Sequence, residues 1–352
     1  MDYALINHPL ITVLMSVYNG ESFLAEAIDS ILSQTFTDLE FLIIDDGSTD
    51  SSPSILVNYA QKDCRIRIIR NLTNIGLTKS LNKGLDLAQG QYIARMDADE
   101  VSLPDRLEKQ FLFMQNRPEI GVCGTNYFAN GATIKLPCDH EEIACGLIWN
   151  NTLAHPTTIF RRSVVIKNNL RYDERYCYAQ DYAFWFRCAK NTRLANLPEP
   201  LLVRREHANQ ISTSSSNEQA LAARRIREHI VRELGVAPTK SELKLHDKIS
   251  SELYECGKPY VKSASTWLSK LRQANNSAAV FPEPAFSEHL CNRWFSICKQ
   301  ASALGIWTLL AFYQNDLSRN HLLALHDRRD LIFRCLARKG YWRTLLHRQL
   351  II

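Results

Sequence analysis

The chain has 352 residues, 45% of them apolar, and a formal net charge of +5. That length suits one large domain or one domain with an appendage, and the apolar share supports a sizeable core. The positive excess is too mild to imply a nucleic-acid partner, and none is expected. The start of the chain carries no basic segment followed by a long apolar one, so no secretory signal is read there. The longest apolar stretch late in the chain, residues 304–313, is too short to span a bilayer. The ten cysteines are scattered and form no CxxC, which argues against a zinc site or a dense disulfide scaffold. Reduced thiols in a bacterial-type cytosol are the expectation.

The first apolar run, Ile11 to Met15, stops at the turn signal Tyr18-Asn19-Gly20. Leu24, Ile28, Ile31 and Leu32 then recur at helical spacing. Phe41 to Ile44 reads as a buried strand ending in Asp45-Asp46-Gly47-Ser48. Ser52-Pro53 predicts an N-cap and a first-turn proline. Ile66 to Ile69 is a third strand, and Leu77, Leu81 and Leu85 mark a helix closed by Gly90. Tyr92 to Met96 is a fourth strand, ending in Asp97-Ala98-Asp99. Ser102-Leu103-Pro104 opens a helix with Leu107, Phe111 and Met114 on one face.

This alternation predicts an α/β fold with a mainly parallel sheet covered by helices on both sides. Ligands of such sheets sit beyond the carboxyl ends of the strands. Three polar tips would meet there: Ser16-Val17-Tyr18, Asp45-Asp46 and Asp97-Ala98-Asp99. A lone DxD is more often a solvated acidic turn. At the tip of a buried strand, beside two other tips, it can share a hard divalent cation with a diphosphate.

Residues 126–210 read as mixed, with strand-like 157–160 and 201–203 and a helix over 180–190. Residues 212–217, Ser-Thr-Ser-Ser-Ser-Asn, form a linker-like patch. A boundary near residue 215 is expected, giving a catalytic domain over 1–215 and a helical region over 216–352.

These residues resemble the family 2 glycosyltransferases of the GT-A fold, especially bacterial enzymes of capsule, O-antigen and wall-polymer synthesis. The matching pieces are Val13 to Gly20, Ser30 to Phe36, Ile43 to Asp50, Asn74 to Leu77, Ala94 to Asp99 and Leu103 to Leu107, in order and at matching spacing. The likeness runs from residue 10 to residue 212. It implies a Rossmann-like nucleotide-diphospho-sugar transferase sheet, with an α-helical region following it. It further implies that Ser16, Tyr18 and Asp46 hold the nucleobase and ribose, and a carboxylate accepting an imide N–H suits uracil. Asp45 would serve the turn itself. Asn74 and Gly76 resemble a loop that closes over the nucleotide. Lys79 would reach the diphosphate or lie on a solvated helix face. Arg95, inside a buried strand, would pair with Asp97, Asp99 or phosphate, because an unpaired buried guanidinium is costly. Asp99 resembles the direct ligand of Mn²⁺ or Mg²⁺, with Asp97 on ribose or the outer metal shell and Ala98 between them against the substrate. Glu100 would point to solvent or contact the acceptor.

Transfer from a nucleotide sugar needs a stabilised leaving group and a base for the acceptor hydroxyl. Asp181 resembles the family's base, although Gln180 stands where the motif usually has Glu. Loss of that neighbouring charge would lower the pKa of Asp181. Asp181 would also cap the helix it opens. His207 resembles the family's C-terminal metal or diphosphate histidine. His155 would hydrogen-bond a sugar hydroxyl or serve as a structural histidine before Pro156. One carboxylate on the acceptor side implies inversion at the anomeric carbon.

Beyond residue 216 the periodicity predicts helices over 221–234, 242–254, 261–271 and 287–310, then a final basic stretch. Trp267, Trp294 and Trp307 are read as helical core. Arg328, Arg329, Arg334, Arg338, Lys339, Arg343 and Arg348 interleave with Leu, Ile and Trp342. That pattern suits either an anionic membrane surface or a docking helix with a solvated basic face. The resulting expectation is a cytoplasmic enzyme in peripheral contact with the inner membrane. Its donor would be a UDP-sugar, or another nucleotide sugar, and its acceptor a glycan or lipid-linked oligosaccharide. Two other readings compete. A sugar nucleotidyltransferase would need a Gly-rich basic signature that Tyr18-Asn19-Gly20-Glu21 lacks. A non-catalytic glycan-binding relative is suggested only by Gln180.

Overall fold

The computed structural model describes residues 8–206, 216–319 and 324–337. They divide into two compact units, one formed by residues up to 143 with 151–223, the other by 144–150 with residues from 224 onward.

In the first unit the chain runs β1 (Ile11–Val17), α1 (Leu24–Leu32), β2 (Leu39–Asp45), α2 (Ser52–Ala60), β3 (Ile66–Arg70), α3 (Leu77–Leu87), β4 (Tyr92–Asp97), β5 (Val101–Ser102) and α4 (Arg106–Gln115). β6 (Ile120–Ala129), β7 (Ala132–Ile134), α5 (His140–Gly146), β8 (Ile159–Arg161), α6 (Arg162–Lys167), α7 (Gln180–Ala189) and β9 (Arg193–Arg204) follow. The strands join in the order β3-β2-β1-β4-β8-β6-β9-β5, with β7 beside β6. β1 to β4 are mutually parallel where they pair; β8 enters antiparallel to β4 and to β6.

β1 and β2 are apolar on both faces because helices cover both, and every residue of each is buried. Their register sets the site. Ser16 lies beside Asp97 on one side and Ile44 on the other, and Val17 beside Asp45. The strand tips are therefore level.

Several boundaries differ from the sequence reading for local reasons. The cap of α2 is Ser51, one residue early, because Ser52 Oγ accepts the Gly20 N–H at 2.9 Å. α3 ends before Ala88, and Gly90 serves a close approach instead: a Cβ there would lie 2.4 Å from the Thr12 nitrogen of β1. Ser102 pairs in β5, so α4 starts only at Arg106. Thr157 is in a 3₁₀ turn, His155–Thr157, its hydroxyl donating to the Ala154 carbonyl at 2.8 Å.

α8 (Ser216–Glu233) leads into the second unit, where α9 (Lys240–Ser250), α10 (Lys258–Ala278), α11 (Ala285–Gln300), α12 (Ile306–Gln314), α13 (Asp316–Arg319) and α14 (Leu325–Leu336) pack. The expected helix over 287–310 is broken at Gly305, whose φ of +69° suits glycine. Trp267 and Trp294 are core as expected, whereas Trp307 is half-buried. Trp267 donates its indole N–H to His246 Nδ1 at 3.2 Å, so the ring proton sits on Nε2 and faces the Ile148 carbonyl at 3.0 Å. Burial holds this histidine neutral, its pKa down at about 3.

Candidate active site

A cavity of about 660 Å³ opens at the strand tips. Its wall includes Ser16, Tyr18, Asp46 and Asn74 from the parallel edge, Asp97, Ala98, Asp99 and Glu100 beyond β4, and Arg204 at the end of β9. His155, Gln180 and Asp181 line it too. The sheet thus brings three expected tips together with the expected base.

On the β1–β2 side of the cavity, two loops are stitched together. Asn19, left-handed at φ +51°, receives the Ser48 hydroxyl oxygen at its N–H (3.0 Å) and accepts the Thr49 N–H at its own Oδ1 (2.8 Å). Asp45 serves the turn, accepting the Ser48 N–H at 2.9 Å. Asp46 is only 2% exposed. Its Oδ1 accepts from Asn71 Nδ2 at 2.8 Å and the Ile75 N–H at 3.0 Å, and its Oδ2 from the Gly76 N–H at 2.9 Å. The carboxylate expected to read the base therefore chiefly fixes the 74–76 loop, leaving Oδ2 with capacity for one further donor. Gly76 acts through that bond. Lys79 is exposed on α3 and is not among the residues that line the cavity.

Arg95 also differs from a substrate contact. It is 1% exposed and lies beneath the cavity, bonding the Leu14 carbonyl at 3.2 Å, the Met96 carbonyl and the Asp97 carboxylate. Arg106 continues this buried layer, donating to the Arg95 carbonyl at 2.8 Å. Burial raises the Asp97 carboxyl; Arg95 opposes it, Asp99 adds to it, and Arg204 opposes it.

Glu100 contradicts its expected solvent orientation. The turn into β5 folds it inward to 3% exposure, and it accepts the Arg205 N–H at 3.2 Å. Burial, Asp97 and Asp99 push its pKa up to about 9. The crowding keeps Glu100 protonated near neutral pH, and the oxygen donors of Asp97 and Asp99 beside it are of the kind that fits a hard divalent cation. Among the described residues no three His, Cys, Asp or Glu side chains form a ready-made cage. A cation at Asp99 would thus draw further ligands from the substrate. His207 lies outside the described residues.

Asp181 does not cap its helix. The cap residue of α7 is Ala179, and Asp181 is the helix's second residue. Burial raises its pKa to about 6, against the Tyr182 backbone N–H and the Asn151 amide. Gln180 Oε1 is buried without a partner in the described structure. His155 bonds Tyr172 Oη through Nε2 at 2.9 Å, and burial keeps it neutral. It is at once structural and on the cavity wall.

Sequence reasoning missed Arg204 and Asn151 as site residues. Nothing in their local pattern marks them; only the β9 pairing and the 150–155 turn bring them to the cavity.

The sheet and its strand-tip cavity define a GT-A glycosyltransferase. The chain belongs to glycosyl transferase family 2, whose sequence profile matches residues 12–172. It is 36% identical over 236 residues to an uncharacterized glycosyltransferase of Haemophilus influenzae, covering 63% of this chain and 73% of that one. It is 36% identical over 226 residues to the O-antigen biosynthesis glycosyltransferase WbnJ of Escherichia coli, covering 60% and 84%. Among solved structures, S. aureus TarS 1–349 in complex with UDP-GlcNAc superposes with a TM-score of 0.57 at 18% identity, over 88% of this chain and 90% of that one. The mannosyltransferase PcManGT from Pyrobaculum calidifontis, in complex with GDP-Man and Mn²⁺, gives 0.55 at 18% identity over 96% and 88%.

Proposed function

We propose that this glycosyltransferase moves a sugar, with inversion, from a UDP-linked donor to a hydroxyl of a glycan or lipid-linked acceptor in bacterial surface-polysaccharide assembly. The observation that carries the reading is one cavity holding both the Asp97-Ala98-Asp99 tip and the raised, half-buried Asp181. The donor chemistry is supported by the complexes of the two structural relatives with UDP-GlcNAc and GDP-Man. The pathway is supported by the name of the E. coli relative.

In this reading Ser16, Tyr18, Asn74 and the free capacity of Asp46 Oδ2 take the nucleoside. Asp97, held by Arg95, faces the ribose, and Ala98 keeps the wall low beside it. Asp99, with His207, would hold Mn²⁺ or Mg²⁺, which supplies Lewis-acid stabilisation of the departing diphosphate. Arg204 adds a guanidinium on the same side. His155 hydrogen-bonds a sugar hydroxyl. Asp181 takes the proton of the acceptor hydroxyl. That oxygen bonds the anomeric carbon from the face opposite the diphosphate, and the carbon–oxygen bond to the diphosphate breaks with its electron pair leaving on UDP.

Asp181→Ala tests this directly. Transfer should fall by about 10²–10⁴-fold, the usual contribution of a general base, while UDP still binds in the presence of Mn²⁺. Wild-type transfer should decline as pH falls through about 6, where Asp181 gains a proton and can no longer accept one. Release of UDP from a panel of nucleotide sugars measures both. Unchanged transfer by Asp181→Ala overturns the base assignment.

We also place the enzyme on the cytoplasmic face of the inner membrane. No helix among the described residues is long and apolar enough to cross a membrane. α14 buries Leu331 and Cys335 yet also exposes Leu325, Ile332, Phe333 and Leu336, and Arg329 lies on the exposed side. Its three arginines stand against Asp327 and Asp330, and Arg334 pairs with Asp330, so the exposed apolar face with Arg329 beside it is the feature that suits an anionic lipid surface.

A further inference from the structure

Asn151 has no part in the mechanism above, yet it touches the base. Its Nδ2 donates to Asp181 Oδ2 at 2.7 Å. Its Oδ1 accepts the Leu153 N–H at 3.3 Å. The second bond fixes the amide: its oxygen is spent on a backbone donor, so its nitrogen faces the carboxylate. Both side chains line the cavity.

We propose that Asn151 is a positioning residue for Asp181, holding the carboxylate in one orientation through Oδ2 so that its remaining lone pairs are presented to the acceptor hydroxyl. This rests on Asp181 being the base. A carboxylate that rotates freely offers either oxygen in many directions. One tethered oxygen fixes that rotation and narrows the directions open to the acceptor hydroxyl. The tether also favours the ionised form, because a donated N–H stabilises the anion and not the acid.

Besides Asn151, three groups bear on Asp181. Asp97 of β4 repels its negative charge, and the Tyr182 backbone N–H of α7 and Asp181's own backbone N–H attract it. The Tyr172 hydroxyl, on the segment before α7, feels Asp181 in turn and is itself bonded to the neutral His155. Neither Asp97 nor Tyr172 replaces a lost Asn151 donor. Asp97 acts in the opposite sense, and the Tyr172 hydroxyl is already engaged with His155 Nε2 at 2.9 Å.

The test uses the full chain with ¹³C-labelled aspartate. The Asp181 carboxyl signal is assigned by its loss in Asp181→Asn. Its titration is then followed in wild type, Asn151→Ala and the near-isosteric Asn151→Asp, which keeps an acceptor for Leu153 and loses the donor. Both variants should move the Asp181 midpoint upward, by about one unit in Asn151→Ala, a tenfold change in proton affinity. UDP release from the best donor of the panel should fall about fivefold at pH 6 and largely recover at pH 8, with UDP–Mn²⁺ binding unchanged. An unmoved Asp181 midpoint in both folded variants overturns the positioning role. If Asp181→Asn itself retains full UDP release, the base assignment fails instead, and the titration still reports whether Asn151 holds the carboxylate.

Discussion

Arg95 ends between two carbonyls and a carboxylate, under a surface that it never reaches. Its presence in an apolar strand was legible, and so was its need for a partner. Which partner it takes depended on the side chain pointing down, towards Leu14, rather than out. Arg95→Met should destabilise the protein by about 3 kcal/mol, because Asp97 loses its counter-ion and two carbonyls lose a donor. Urea unfolding measures this, and a loss below 1 kcal/mol would show that Asp97 needs no support. Gln180 is the second residue where a single atom decides. Gln180→Glu restores a negative charge beside Asp181, and like charges raise a carboxyl pKa. The acid limb of the rate profile should therefore move upward by about one unit. An unmoved limb would mean that the side chain at 180 turns away from Asp181. Glu100 was misread for a general reason: exposure after a strand depends on how the next turn bends, and the β5 pairing was not visible in two residues, Val101-Ser102.

At the level of elements, the tips of β1, β2 and β4 were readable because each apolar run stops at a polar turn. The pairing of β6 with β9 was not. Ile120 to Ala129 carries two glycines and an Asn, and β9 carries Pro198 and Pro200, so neither reads as a continuous strand. Their register shifts near Asn126 absorb those residues. With that pairing hidden, Arg204 could not be placed. The loop after β2 offers a sharp test. Gly47 has a φ of +75°, and a Cβ there would lie 2.6 Å from the Thr73 carbonyl carbon and 2.8 Å from the Asn74 nitrogen. Gly47→Ala should cost about 2–4 kcal/mol and displace the Asn74 loop. Calorimetry with UDP and Mn²⁺ should then show weakened binding. Wild-type affinity in the variant would detach that loop from the nucleotide.

For the molecule as a whole, none of the ten cysteines forms a disulfide, and Cys64, Cys177 and Cys256 are exposed. Burial pushes the Cys123 thiol up to about 12 and so leaves it unreactive. A maleimide should label those three first, and UDP with Mn²⁺ should slow labelling of Cys177, which lines the cavity. Equal labelling with and without nucleotide would place the ligand elsewhere. Removing residues 338–352 should weaken sedimentation with anionic vesicles while leaving α14 intact; unchanged sedimentation would free that segment of any lipid role. The cavity also has two kinds of wall. Ser16, Asp46 and Asp97 stand on level, hydrogen-bonded strand tips, whereas Asn151, His155 and Asp181 come from turns and one helix start. The two walls can therefore change at different rates over evolutionary time. Replacements along 150–156 and 173–180 could redirect the enzyme to a new acceptor with the donor pocket left standing, so lineages sharing one activated sugar could diversify the linkages they build.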